Sequence, residues 1–251
     1  MIFNKILLFL LSTNVLSLIP FQRKFISISP SGVYGFYTLG VSNFISKNYD
    51  ISNYSYIGAS SGSWNSLFCC YKYDKIKFSN NLIDQEFFDN PKSISNVQIK
   101  MYNYILDNYK TEDFDLEKLC ISYSIFKKLK LRNKIETNFE SLEDALNCCL
   151  ASCHIPFVTS NKFLYRYKKN IAFDGGFVKF PPIDINNYFV ISSNRFNSMN
   201  IKNLFYGLIT RNISKSLIKD LYSLGYNNSY NNIKELNMYF NNNPFYFNFF
   251  L

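Results

Sequence analysis

The sequence predicts an α/β fold, and two observations predict it. Two β-prone runs each pass through a glycine-bearing turn into an apolar helical stretch. A third apolar run delivers an aspartate onto a pair of glycines. At 251 residues the chain suits one α/β domain or two small ones, and length alone does not choose between them. With 47% hydrophobic residues it has ample material for a buried core.

The first run is a strand at Phe25–Ser29, followed by Pro30-Ser31-Gly32 and a helix from about Tyr34. A turn of this kind can present backbone N–H groups to an oxyanion. Taken alone it reads more readily as a tight βα connection. The second run is Tyr54–Ile57, then Gly58-Ala59-Ser60-Ser61-Gly62, then an apolar helix opening at Ser63–Cys70. This is a G-x-S-x-G elbow in a strand–turn–helix context. A serine on so tight a turn has strained dihedrals, and residues two before and two after it crowd its backbone. Glycine at both places, Gly58 and Gly62, relieves the crowding and selects Ser60 over Ser61 as the exposed hydroxyl. The third run, Asn170–Phe173, ends in Asp174-Gly175-Gly176. Its aspartate is read either as a structural turn residue or as a carboxylate reaching another strand end.

Glycine usage ties these segments together. The chain has only nine glycines. Seven lie in the three segments: Gly32, Gly35 and Gly40; Gly58 and Gly62; Gly175 and Gly176. Glycine is the residue for left-handed backbone and close approach, so the clustering marks three special loops.

The formal charge of +9 favours an anionic partner, a membrane surface or nucleic acid. Basic residues gather modestly at Phe126–Lys134 and Tyr165–Lys169, stretches that also suit a solvated surface. No nucleic-acid-binding motif accompanies the charge, which puts a nucleic-acid-binding protein behind the lipid readings below. The six cysteines include two vicinal pairs, Cys69-Cys70 and Cys148-Cys149, and their spacing fits neither a disulfide framework nor a zinc site. They read as buried thiols. Residues 1–20 place Lys5 before the apolar run Ile6–Leu11, then Ser12-Thr13-Asn14, then Val15–Ile19. That pattern is a signal peptide or a retained membrane-associating segment, too polar in its middle for a membrane span.

In their order and separation the three loops resemble the patatin-like phospholipase family, nearest the adiponutrin and adipose-triglyceride-lipase type. Two more stretches carry the resemblance: Ala151-Ser152-Cys153-His154-Ile155-Pro156-Phe157, similar to the family's A-S-x-x-I-P segment, and the helical Lys215–Leu224 before Gly225-Tyr226. The resemblance implies a three-layer α/β/α domain over residues 21–226 with a central mixed, mostly parallel sheet. Residues 227–251 then form an Asn- and aromatic-rich tail. It also implies a catalytic dyad, Ser60 as nucleophile and Asp174 as general base, with oxyanion donors from Ser31, Gly32 or Val33. No metal or cofactor is needed, and the single histidine, His154, falls on a variable position. The expected substrate is a lipid ester at a membrane or lipid-droplet surface, with a membrane-associated location; residues 1–20 allow entry to the secretory pathway, and the reduced cysteine pattern leaves the side of the membrane open. Two departures stand out. Pro30 and Ser31 replace glycines, and proline has no N–H to donate. Phe180 stands where the family often has Asn before a proline. These departures keep a lipid-binding protein without turnover, and an acyltransferase using the same serine, in view.

Overall fold

A computed structural model describes residues 24–89, 91–181, 188–196 and 213–241. The segments expected at residues 1–20 and in the last ten residues of the tail lie outside these.

The fold is α/β, with a mixed sheet flanked by helices, as in a three-layer α/β/α arrangement. The described strands are β1 (Lys24–Ile28), β2 (Tyr54–Ala59), β3 (Leu119–Lys127), β4 (Lys130–Glu136), β5 (Tyr165–Tyr167), β6 (Asn170–Phe173) and β7 (Tyr188–Ile191). The centre, β7-β1-β2-β3, is parallel. Strands β4 and β6 run antiparallel to β3, and β5 antiparallel to β6, so five of the seven described strands point one way.

The described helices are α1 (Gly35–Asn48), α2 (Ser61–Cys69), α3 (Lys75–Ile83), α4 (Ile94–Asn108), α5 (Leu142–Ser152), α6 (Lys215–Asn231) and α7 (Ile233–Phe240). Four of them open on a side chain that accepts an amide of the first turn. Asp74 accepts from Lys77, Ser93 from Asn96, Ser141 from Asp144 and Ser214 from Leu217.

Side chains alternate along each strand, and the alternation divides the core. Ile26, Ile28, Tyr56, Leu119 and Ile121 join the main core with the helices. On the opposite face Phe25, Ile57 and Cys120 form a smaller cluster with Ile135, Phe180 and Tyr188. All six cysteines are buried, and none forms a disulfide.

One crossing locks the first helix to a late one. A side chain at Gly40 of α1 would stand 2.1 Å from the Tyr222 carbonyl oxygen, and one at Gly225 of α6 would stand 2.0 Å from that of Tyr37. Each glycine lets the other helix's backbone come close. Gly40 therefore serves helix packing, although the sequence groups it with the first loop.

The expected end of the domain at Tyr226 needs correction. Helix α6 continues to Asn231 and α7 follows. Leu236 is fully buried, and Tyr239 and Phe240 pack on Phe189 with ring centroids 4.8 and 4.9 Å away. Residues 227–241 thus belong to the domain, because an apolar stripe on α7 completes the core beside β7.

Candidate active site

Strand β3 assembles the site. Along one edge it pairs first with β2, through Leu119–Ser122, and then with β6, through Ser124 and Ile125. Strand β4 takes the other edge over Ile121–Lys127. Strands β2 and β6 run in opposite directions on that shared edge, so their C-terminal ends meet. One end carries Ser60 and the other Asp174.

The elbow has the expected strain. Ser60 sits at φ 53° and ψ −130°, a backbone that side-chain-bearing residues rarely adopt. A side chain at Gly58 would lie 2.1 Å from the Gly62 carbonyl oxygen, and one at Gly62 would lie 2.1 Å from that of Ile28. Both glycines are required sterically, as the spacing predicts. The Ser60 amide donates to Ser152 Oγ at 2.8 Å, and Ser152 Oγ donates to the Ser122 carbonyl at 2.7 Å.

The Ser60 hydroxyl donates to Asp174 Oδ2 at 2.7 Å. Three other contacts hold the aspartate. Its Oδ1 accepts the Gly176 amide at 2.7 Å, its own amide donates to the His154 carbonyl at 2.8 Å, and its carbonyl accepts the Ser124 hydroxyl at 2.8 Å. Gly175 fits against the Ser122 carbonyl, 2.4 Å from where a side chain would begin. Burial raises the Asp174 carboxyl to about 6, against the lowering effect of the Ser60 and Gly176 hydrogen bonds. A carboxylate near that value is ionised at neutral pH and a better base than an ordinary aspartate.

The first loop departs from expectation. Pro30 has no N–H, and the Ser31 amide is already bonded to Ser61 Oγ at 3.0 Å. Ser31 is therefore not an available oxyanion donor. Gly32, at φ 55°, and Val33 open a short 3₁₀ turn, and first amides of a turn have no partner within it. Both residues border the same cavity as Ser60. At the same cavity the first amide of α2, at Ser61, is likewise without an intrahelical partner. Gly35 makes the arrangement possible, since a side chain there would meet Ser61 Cβ at 2.8 Å. Pro30 packs by the aspartate loop, with its Cβ 3.2 Å from where a Gly176 side chain would start.

The cavity measures about 100 Å³ and is mostly apolar, walled by Val33, Phe36, Trp64, Phe68, Met101 and Ile155. These come from the first loop, α1, α2, α4 and the segment after α5. His154 is buried, with Nε2 3.3 Å from the Phe163 carbonyl oxygen and its ring between Tyr165 and Phe173. Burial lowers its pKa. Its backbone carbonyl accepts the Asp174 amide. Among the described residues no group of three or more His, Cys, Asp or Glu side chains is placed to hold a metal ion.

Sequence reasoning found Ser60, Asp174 and the five glycines around them. It missed Ser122, Ser124 and Ser152, whose roles arise from contacts across the sheet. Ser152 stands inside the A-S-x-x-I-P stretch, the one signal that singles it out. No known family model matches the chain, and no curated protein matches its sequence.

Proposed function

We propose that the chain is a serine acyl hydrolase of the patatin-like type that cleaves carboxylic esters of lipids. The observation that carries this reading is the 2.7 Å contact between Ser60 Oγ and Asp174 Oδ2, a buried carboxylate raised to about 6, at an apolar cavity. In this reading Ser60 Oγ attacks the ester carbonyl carbon while its proton passes to Asp174 Oδ2. The tetrahedral oxyanion is held by amides of the Gly32–Val33 turn and the start of α2. Its collapse breaks the bond to the alcohol, which leaves with the proton from Asp174. Water then attacks the acyl-enzyme, gives its proton to Asp174, and releases the acid while Ser60 regains its hydrogen. The apolar walls favour an acyl chain over a polar substituent.

A fluorophosphonate probe tests the assignment. Wild-type protein is expected to label, Ser60→Ala not at all, and Asp174→Asn far more slowly. Absent labelling in folded wild type would mean that the first loop leaves too few donors, and a lipid-binding protein without turnover would replace this reading. An acyltransferase would label equally and transfer the acyl group to an alcohol in preference to water.

A further inference from the structure

The hairpin β3–β4 does something the catalytic reading leaves unexplained. Its residues 127–134 hold Lys127, Lys128, Lys130, Arg132 and Lys134 with no acidic residue among them. Lys127 lies directly opposite Lys130, a like-charge cross-strand pair that destabilises a hairpin. The turn between them puts Lys128 at φ 51° and Leu129 at φ 60°, where tight hairpins ordinarily use Asn or Gly. Leu129, at the tip, is 87% exposed. Phe126 and Leu131 face each other across the strands and are also exposed. The hairpin is thus two-faced, with an apolar face and a cationic face, and local stability is given up to keep both.

Its position is equally telling. The dyad sits level with Tyr123, β3 continues four residues to Lys127, about 13 Å beyond, and the turn carries Leu129 past that. Continuing the β3–β6 register brings the β5–β6 turn, Lys168-Lys169, level with Lys128-Leu129. Lys168 is occupied by Glu136 and Asp144, and Lys134 by Glu136. Among the described residues Lys127, Lys128, Lys130, Arg132, Arg166 and Lys169 carry no ion pair, and all are exposed. The loop after α5, whose His154 carbonyl accepts the Asp174 amide, adds a stacked, exposed pair, Phe157 and Phe163, with centroids 6.0 Å apart. Cations and solvated apolar tips therefore crowd the sheet end that carries Ser60.

We propose that this end of the sheet docks on an anionic lipid bilayer, the cations of the two hairpins meeting the headgroups while Leu129, Phe157 and Phe163 enter the interface. Mixed basic and apolar side chains fit such a surface, which supplies counter-charge and an apolar boundary together. A nucleic acid would meet the cations but leave Leu129 solvated. The inference names the surface on which the proposed hydrolase works, yet it rests on charge and exposure and does not require Ser60 to react.

The test is binding of the full chain to vesicles of ether-linked phosphatidylcholine with and without ether-linked phosphatidylserine, which no esterase cleaves. Binding is expected to need phosphatidylserine and to weaken as salt rises. Lys127→Gln/Lys130→Gln removes the repelling pair, so a merely structural hairpin would bind unchanged and melt no lower. The docking surface instead predicts binding about 25-fold weaker, at about fivefold per cation. Lys128→Asn/Leu129→Gly installs a favoured turn and is expected to preserve the fold while weakening binding at least fivefold. Equal binding to both vesicles, or wild-type binding by both variants, would overturn the proposal. So would tight binding to a single-stranded oligonucleotide with none to vesicles. Turnover of a small soluble ester reports on Ser60 separately, so either reading can fail alone.

Discussion

The Ser60 amide is bonded to the hydroxyl of Ser152, at 2.8 Å, and through it to β3. The strained elbow is therefore fixed to the sheet by a side chain from the end of α5, which sets where the Ser60 oxygen points. Ser152→Ala leaves that buried amide without its acceptor. The expected cost is about 1–3 kcal/mol of stability. A looser nucleophile should also lower kcat by about 10²-fold with KM little changed. Urea denaturation and steady-state kinetics on a soluble ester check the two effects.

Asp174 sets the pH behaviour. The proposed mechanism needs the ionised carboxylate, so kcat/KM should climb about tenfold per pH unit on the acid side, then level off above about 6. A plateau already reached near pH 4 would contradict a desolvated base.

Stability runs the opposite way at the same residue. Its folded pKa, about 6, lies above the ordinary 3.8. The protonated form is thus favoured in the fold, and this contribution is complete below 3.8 and lost as pH rises through about 6. Asp174→Asn keeps the acceptor for the Gly176 amide without the buried charge. It should abolish turnover and raise stability at neutral pH by up to about 3 kcal/mol. Thermal melts of both proteins at pH 4 and pH 7 check the sign, since the gap should shrink at the lower pH.

Val33→Pro removes one candidate donor while keeping a φ that the 3₁₀ turn tolerates. Loss of a single donor lowers turnover about 10²–10³-fold. An intact melting curve beside that loss would assign the amide its role, whereas unchanged kinetics would move the oxyanion to the start of α2.

Gly225→Ala places a methyl group 2.0 Å from the Tyr37 carbonyl, where backbone has to yield. Overpacking of this kind costs about 1–3 kcal/mol or more. Equilibrium unfolding measures it, and the Ser60 probe should still label the folded fraction, because the crossing is remote from the dyad.

The dyad was legible because the chain uses glycine so sparingly. A side chain at Gly58, Gly62 or Gly175 would begin 2.1 to 2.4 Å from a carbonyl oxygen, so each glycine is a steric necessity visible one letter at a time. The fold class was legible for a related reason, since strand–turn–helix passages leave a local pattern. Other features were hidden. That Ser61 occupies the Ser31 amide depends on two loops 30 residues apart meeting. Strand β4 has no buried residue, and its alternation of charges with Leu131, Asn133 and Ile135 is read in the sequence only as a basic cluster. The boundary at Tyr226 failed because an Asn-rich stretch reads as a tail, and only the packing of Leu236 and Phe240 shows why it folds.

Strand β3 also makes the distance between Ser60 and Asp174 a matter of counting. Strand β2 stops pairing at Ser122 and β6 starts at Ser124, leaving Tyr123 as the one spacer on that edge. Adding or deleting a residue there would change the gap by a step of about 3.4 Å and turn the downstream side chains to the other face. No rotamer adjustment spans such a step. Point substitutions can therefore tune this site gradually, whereas a length change at Tyr123 switches it off outright.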